Sequence, residues 1–356
     1  MRHRRGQGIE VASVGELDAR LAAGVHRLSG WRLVGLDLTG LEERLRDVQV
    51  GGALFRGCRF PDGLADELRS RGAVVSPGVT EVPVDADRTT LYTAAELYDT
   101  PEYAASFDAR VYAWSTQPSD RDGRMARALH DHAIDEALTA WTAGRRLVGV
   151  MGGHALTRGQ PAYAQATRLG HLLAADRTVA TGGGPGAMEA ANLGAWLADP
   201  DTIEAALDLL SEVPAYRPDI GAWAAAGLEV RRRWPEGRES LGIPTWHYGH
   251  EPPNVFATAV AKYFRNATRE AILLQLCDAG IVFLEGTGGT VQEIFQDACE
   301  NYYADESSVA PMVLVGRRYW TDDVPVWPLL ERLSRGRPME GQVHLVDTVE
   351  EAAEKV

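Results

Sequence analysis

Lysine is almost missing from this chain. Of its 36 basic residues only Lys262 and Lys355 are lysines; the rest are arginines. A pyridoxal-phosphate enzyme needs a lysine for its Schiff base, so that chemistry would rest on Lys262 alone and is disfavoured. Cysteine is nearly as scarce: Cys58, Cys277 and Cys299 are an odd, scattered set without a Cys-x-x-Cys pair. Neither a disulfide scaffold nor a thiolate zinc site follows from them, and a reducing, cytoplasmic setting is expected. Positive charge is in deficit, 36 basic against 50 acidic residues and a net charge of −14. Such a chain is poorly suited to tracking a nucleic-acid backbone. Small anions stay open as ligands, because backbone N–H groups bind them whatever the net charge. No apolar run approaches the ~20 residues that a membrane helix needs. The start, MRHRRGQGIE, has no apolar stretch behind its basic residues, so no signal peptide is expected.

What is present is enough chain, 356 residues with 45% hydrophobic, for two or three domains at ~150 residues each. Residues 1–85 read as a separate module. Trp31-Arg-Leu33-Val-Gly35 and Leu36-Asp-Leu38-Thr-Gly40 step in fives, as do Ala53-Leu-Phe55-Arg-Gly57 and Cys58-Arg-Phe60. That beat suits turns of a β-solenoid, or a few short strands with glycine turns. The Pro/Gly/Asp-rich stretch Ser76–Asp87 reads as a linker. From residue 86 on, strand, glycine turn and helix alternate. Strands are expected at Leu147–Met151, Thr178–Thr181, Gly280–Leu284 and Pro311–Val315, and a long helix over Asn254–Asp278. The pattern predicts an α/β fold with a parallel sheet covered by helices on both faces. Residues 211–253, with Trp223, Trp234, Trp246 and Arg231-Arg232-Arg233, interrupt the alternation as an insertion, either a lid over a crevice or a packed surface loop.

Ligands of such sheets bind beyond the carboxyl ends of the strands, so the glycine turns are the candidate site. They are Gly152-Gly153-His154, Gly182-Gly183-Gly184 and Gly286-Thr287-Gly288-Gly289-Thr290. Glycines let backbone approach a ligand closely, and a phosphate suits the first N–H groups of the following helix. Glu293 falls one helical turn after Thr290, a fixed anion about one sugar ring from a phosphate; its blander role is helix capping. Lys262, Asn266 and Arg269 share a helical face that is either solvent or crevice. His154 and Arg158 are phosphate contacts or caps. His247 and His250 form a weak zinc pattern that prolines interrupt. No metal is expected.

Thr181-Gly-Gly-Gly-Pro-Gly-Ala-Met-Glu189 and Glu285-Gly-Thr-Gly-Gly-Thr-Val-Gln-Glu293 resemble the paired signatures of the LOG family. Tyr248-Gly-His-Glu-Pro-Pro253, Arg269-Glu270 and Gln292-Glu-Ile-Phe-Gln-Asp297 resemble its larger purine/pyrimidine nucleotide nucleosidase branch. The resemblance spans about residues 100–335 and implies a Rossmann-like, doubly wound catalytic domain over 86–356. It implies hydrolysis of nucleoside 5′-monophosphates to free base and ribose 5-phosphate, with no cofactor and a homo-oligomer (dimer or tetramer). Arg269 and Glu293 stand at the family's catalytic positions, and Gly286–Thr290 at its phosphate turn. Two residues depart from it: Thr287 replaces a second glycine, and Glu285 replaces the proline that opens the turn. Two alternatives stand beside hydrolysis. One is a nucleotide sensor or carrier of a nucleotide-like cofactor without turnover, and the other an NAD-dependent dehydrogenase. Residues 1–85 are expected to regulate or assemble the enzyme, with a nucleotide effector as one means.

Overall fold

The structure, a computed structural model, describes residues 9–11, 13–76, 82–118, 121–247 and 251–356. The chain divides between Val82 and Pro83 into two units. Part of the expected linker, residues 77–81, and His250 of the zinc pattern lie outside the described residues, as do Tyr248 and Gly249.

The first unit is a parallel sheet of β1 (Ile9–Val11), β2 (Trp31–Val34), β3 (Leu54–Arg56) and β4 (Val74–Ser76), in that order. Helices Val14–Ala22, Glu42–Asp47 and Leu64–Ser70 connect them. Ile9 pairs with Trp31, Arg32 with Leu54 and Leu54 with Val74, a repeat of about 22 residues. The two five-residue blocks are thus the same part of successive coils. The β-solenoid expectation is corrected: each coil carries a helix, and only its strand side shows the short beat. Coils stack through glycines in the left-handed region, where Gly30 N donates to Gly52 O and Gly52 N to Gly72 O, both at 3.0 Å. A side chain there would be strained. Leu17, Leu33, Leu45, Phe55, Leu64 and Leu68 fill the interior between sheet and helices.

The second unit is a seven-stranded sheet with all pairings parallel. Its strands are β5 (Leu147–Met151), β6 (Thr178–Thr181), β7 (Ser240–Gly242), β8 (Ala259–Val260), β9 (Ile281–Phe283), β10 (Met312–Val315) and β11 (Val343–Val346). Their spatial order is β11-β10-β9-β5-β6-β7-β8, with helices covering the sheet as the strand–helix alternation predicts. This is the Rossmann-like, doubly wound class. Val148, Val150, Val179, Val282 and Val313 are fully buried, the near-continuous apolar strands that a two-sided sheet requires. The outer edge at β8 is closed by Tyr92, which exchanges backbone hydrogen bonds with Val260 at 2.8 and 2.9 Å.

Three expectations are corrected here. Asn254–Asp278 is not one helix: β8 lies inside it, and the helix is Asn266–Leu276. Val255 to Ala257 and Ala259 to Phe264 are all buried, which a helix with one exposed face cannot achieve. Residues 211–253 are no insertion, because they hold helix Ile220–Arg233 and β7, a strand of the sheet between β6 and β8. Nor do their tryptophans form a lid. Trp223 and Trp246 are buried, and Trp234's carbonyl accepts a bond from Trp196 Nε1. β11 had no expectation at all.

Candidate functional site

Strand order reverses between β5 and β9: β6, β7 and β8 follow on one side of β5, and β9, β10 and β11 on the other. The splayed connections leave a crevice beyond the carboxyl ends of these two strands. Three glycine turns meet there. Gly153 N donates to Glu285 O at 3.1 Å, and Ala187 N donates to Gly153 O at 3.1 Å, so each turn is held by the next. Space is absent where glycine sits. A Cβ on Gly152 would lie 2.8 Å from Ala187 Cβ, and one on Gly286 would lie 2.7 Å from Thr290 Cβ.

A cleft of 330 Å³ opens on the β5 side of the β9 turn. Of the expected residues it brings together Gly152, Gly153, His154, Thr287, Gly289, Thr290, Arg269 and Glu293. Gly286 lines the neighbouring cleft instead. Gly288 begins the helix Gly288–Tyr303 and lines neither. The Gly182–Gly184 turn is buried and spends its polar groups on the protein. Gly183 N donates to Thr181 Oγ1, and Asn254 donates to Gly183 O and Gly184 O. Gly182 lies beneath the site, since a Cβ there would stand 3.3 Å from Arg269 Nη1. These glycines therefore shape the floor and do not face the cleft.

Arg269, on the helix Asn266–Leu276, faces Glu293 on Gly288–Tyr303 with 3.9 Å between Nη1 and Oε1. Its other nitrogen donates to Asn266 Oδ1 at 3.1 Å, and its Nε is buried without a partner. Glu270 ties the two helices, accepting from Asn266 Nδ2 and Gln292 Nε2, both at 2.7 Å. Glu293 makes no hydrogen bond among the described residues, so both its oxygens are available to a ligand or water. Burial pushes its carboxyl up to about 7; Arg269 opposes that shift and Glu270 adds to it. One turn further, burial raises Asp297 to about 8, with Glu300 adding to it, and its Oδ2 has no partner.

Glu251, Glu270, Gln292 and Met188 also line the cleft. Glu270 and Gln292 sat beside the expected pair in sequence, but their link between helices needs the tertiary contact. His154 is mostly exposed and stands 3.8 Å from Glu251. Arg158 is no phosphate contact: it is buried in a bidentate pair with Glu189, with a further bond to Trp223 O at 3.1 Å. Lys262 is not on the Arg269 face; it precedes the helix and is buried against Asp108 at 2.6 Å. Glu285 faces away from this cleft, into a second one.

That second cleft, 450 Å³, adjoins the first through Gly153, His154 and Thr287 and crosses the ends of β10 and β11. Tyr319 holds the turn between them, its hydroxyl donating to Gly286 O at 2.8 Å. No cluster able to hold a metal exists among the described residues. Among them, too, no helix is long and apolar enough to cross a membrane.

Neither a family model nor a curated protein matches the sequence. Solved structures do. A molybdenum cofactor binding protein from Rippkaea orientalis aligns at 20% identity and a TM-score of 0.37, over 60% of this chain and 95% of its own. Two structures of the molybdenum cofactor carrier protein of Chlamydomonas reinhardtii align at 17% and 19% identity. Each has a TM-score of 0.35 and covers 59% of this chain and 94% of its own. At this distance the likeness carries no information on what the crevice holds.

Proposed function

We propose that the second unit hydrolyses the N-glycosidic bond of nucleoside 5′-monophosphates, releasing base and ribose 5-phosphate, the activity that the LOG resemblance implies. The observation that carries this reading is Glu293, a carboxyl poised near neutrality with both oxygens free, one helical turn past the glycine turn. With phosphate on the turn at the start of Gly288–Tyr303, the ribose reaches Glu293. Breaking the bond builds positive charge on the ribose ring, which an ionised Glu293 stabilises while it orients the attacking water. Arg269, 3.9 Å away, favours that ionised form. The anchored phosphate supplies remote binding energy that fixes the sugar over the carboxylate.

Glu293→Gln tests this directly. Turnover of a nucleoside-monophosphate panel, read as free base, is expected to fall by about 10² or more, the scale of a positioned acid–base group. Nucleotide affinity by calorimetry is expected to persist. Unchanged turnover would remove Glu293 from the chemistry.

A second reading, binding of a phosphate-bearing cofactor without turnover, is favoured by the larger cleft beyond the turn, which holds no Arg–Glu pair. One fold hosts many functions, so the architecture alone does not choose between turnover and binding. Nucleotide binding without release of base from any monophosphate would select this reading.

A further inference from the structure

The cleft over β10 and β11 is not used by the reaction proposed above. Its walls are largely apolar, from Leu156, Leu284 and Val315, and it carries two acids. Asp347 is matched by Arg317, whose Nε lies 3.2 Å from its Oδ2. The Glu285 carboxylate has neither a cation nor a hydrogen-bond donor among the described residues. It stands over the β10 turn, with Oε1 3.2 Å from where a Cβ on Gly316 would be, close to Tyr319. The cleft therefore presents largely apolar walls and one carboxylate without a partner among the described residues. The glycine turn that suits phosphate is the wall it shares with the Glu293 cleft.

We infer that the two clefts together hold a pyridinium dinucleotide. Its linking phosphates rest on the β9 turn, its adenosine half lies over Arg269 and Glu293, and its cationic ring lies against Glu285. The inference rests on the nucleotide reading of the first cleft. Three features agree on it. At a strand-order switch, sheets of this class accept dinucleotides across the crevice. The clefts, 330 and 450 Å³, are each the size of a small-molecule site. Lastly, a flat cation is the group that an apolar slot with a lone carboxylate recognises. Glu285 is then a specificity residue, and its place at the head of the turn gives it a role that a proline there lacks.

NAD+ and NADH differ by one positive charge on the ring, so calorimetric titration of the full chain carrying Glu293→Gln, which is expected to bind nucleotides without turnover, with AMP, NAD+ and NADH at low ionic strength is the test. NAD+ is expected to bind at least about tenfold more tightly than AMP, since it fills both clefts. It is expected to exceed NADH by about two- to fivefold, the worth of one partly screened charge pair. Glu285→Gln, an exposed change of the same shape, is expected to leave AMP affinity unchanged and abolish the NAD+/NADH difference. If AMP binds and NAD+ binds no better, the second cleft is not occupied and the inference fails while the nucleotide reading stands. A preference for NAD+ that survives Glu285→Gln removes Glu285 as its source. If none of the three binds, both readings fall.

Discussion

Replacing Glu293 by glutamine separates the cost of the site from its use. The carboxyl rises from 4.5 to about 7 on folding because it is buried. A folded-state pKa above the unfolded one means that the folded protein holds its proton more tightly. The stability this contributes is complete below about 4.5 and is lost as pH rises through 7. Above pH 7 the wild type carries a buried charge worth about 3 kcal/mol, from 2.5 pK units at 1.36 kcal/mol each. The side chain is only 17% exposed, so solvent screening removes little of it. Glutamine has the shape of the protonated acid and never ionises. Glu293→Gln is therefore expected to be more stable than wild type, by about 2 kcal/mol at pH 6 and about 3 kcal/mol at pH 9. For a unit of this size the latter corresponds to a rise in Tm of about 5 °C. Thermal melting of both proteins at pH 6, 7, 8 and 9 measures it, away from the solubility minimum near the pI of 5.1. A variant less stable than wild type at pH 9, or a gap that does not widen with pH, would refute the burial argument. Gained stability together with lost turnover is the signature of a site that trades one for the other.

Gly286→Ala places a methyl 2.2 Å from Thr290 Oγ1 and 2.7 Å from its Cβ, so the phosphate turn must shift; nucleotide affinity is expected to fall by about tenfold or more in calorimetry, and stability by about 1–3 kcal/mol in denaturant unfolding. Lys262→Met strands Asp108, which also accepts bonds from Tyr103 and Trp246, and is expected to cost about 3–5 kcal/mol in denaturant unfolding, with the added Asp108→Asn restoring part. Asp297→Asn removes a carboxyl that burial holds near 8, so its stability relative to wild type is expected to increase between pH 4 and 8 and then level off.

Much of this protein was legible in order along the chain. Leu147–Met151 and Thr178–Thr181 are strands where the apolar runs place them, because a strand buried on both faces needs a short continuous run and a glycine to end it. Helical spacing puts Glu293 one turn beyond Thr290, and its place in the cleft lining decides for a site role over helix capping. Patterns that depend on what packs against a segment were not legible. The stretch 254–264 carries apolar residues at spacings that a helix and a fully buried segment share, and only the neighbouring strand β7 decides between them. Trp223, Trp246 and Arg158 are residue types that equally serve a lid, a ligand or a core. Burial and the partner Glu189 made them core. The 22-residue coil of the first unit escaped a reading tuned to five, because its helical part varies while its strand part repeats. Local spacing thus located the strands 147–151 and 178–181, the glycine turns and the acid one turn beyond Thr290. The tertiary structure alone decided which side of the turn Glu285 faces and how far burial raises Glu293, since both depend on atoms distant in sequence.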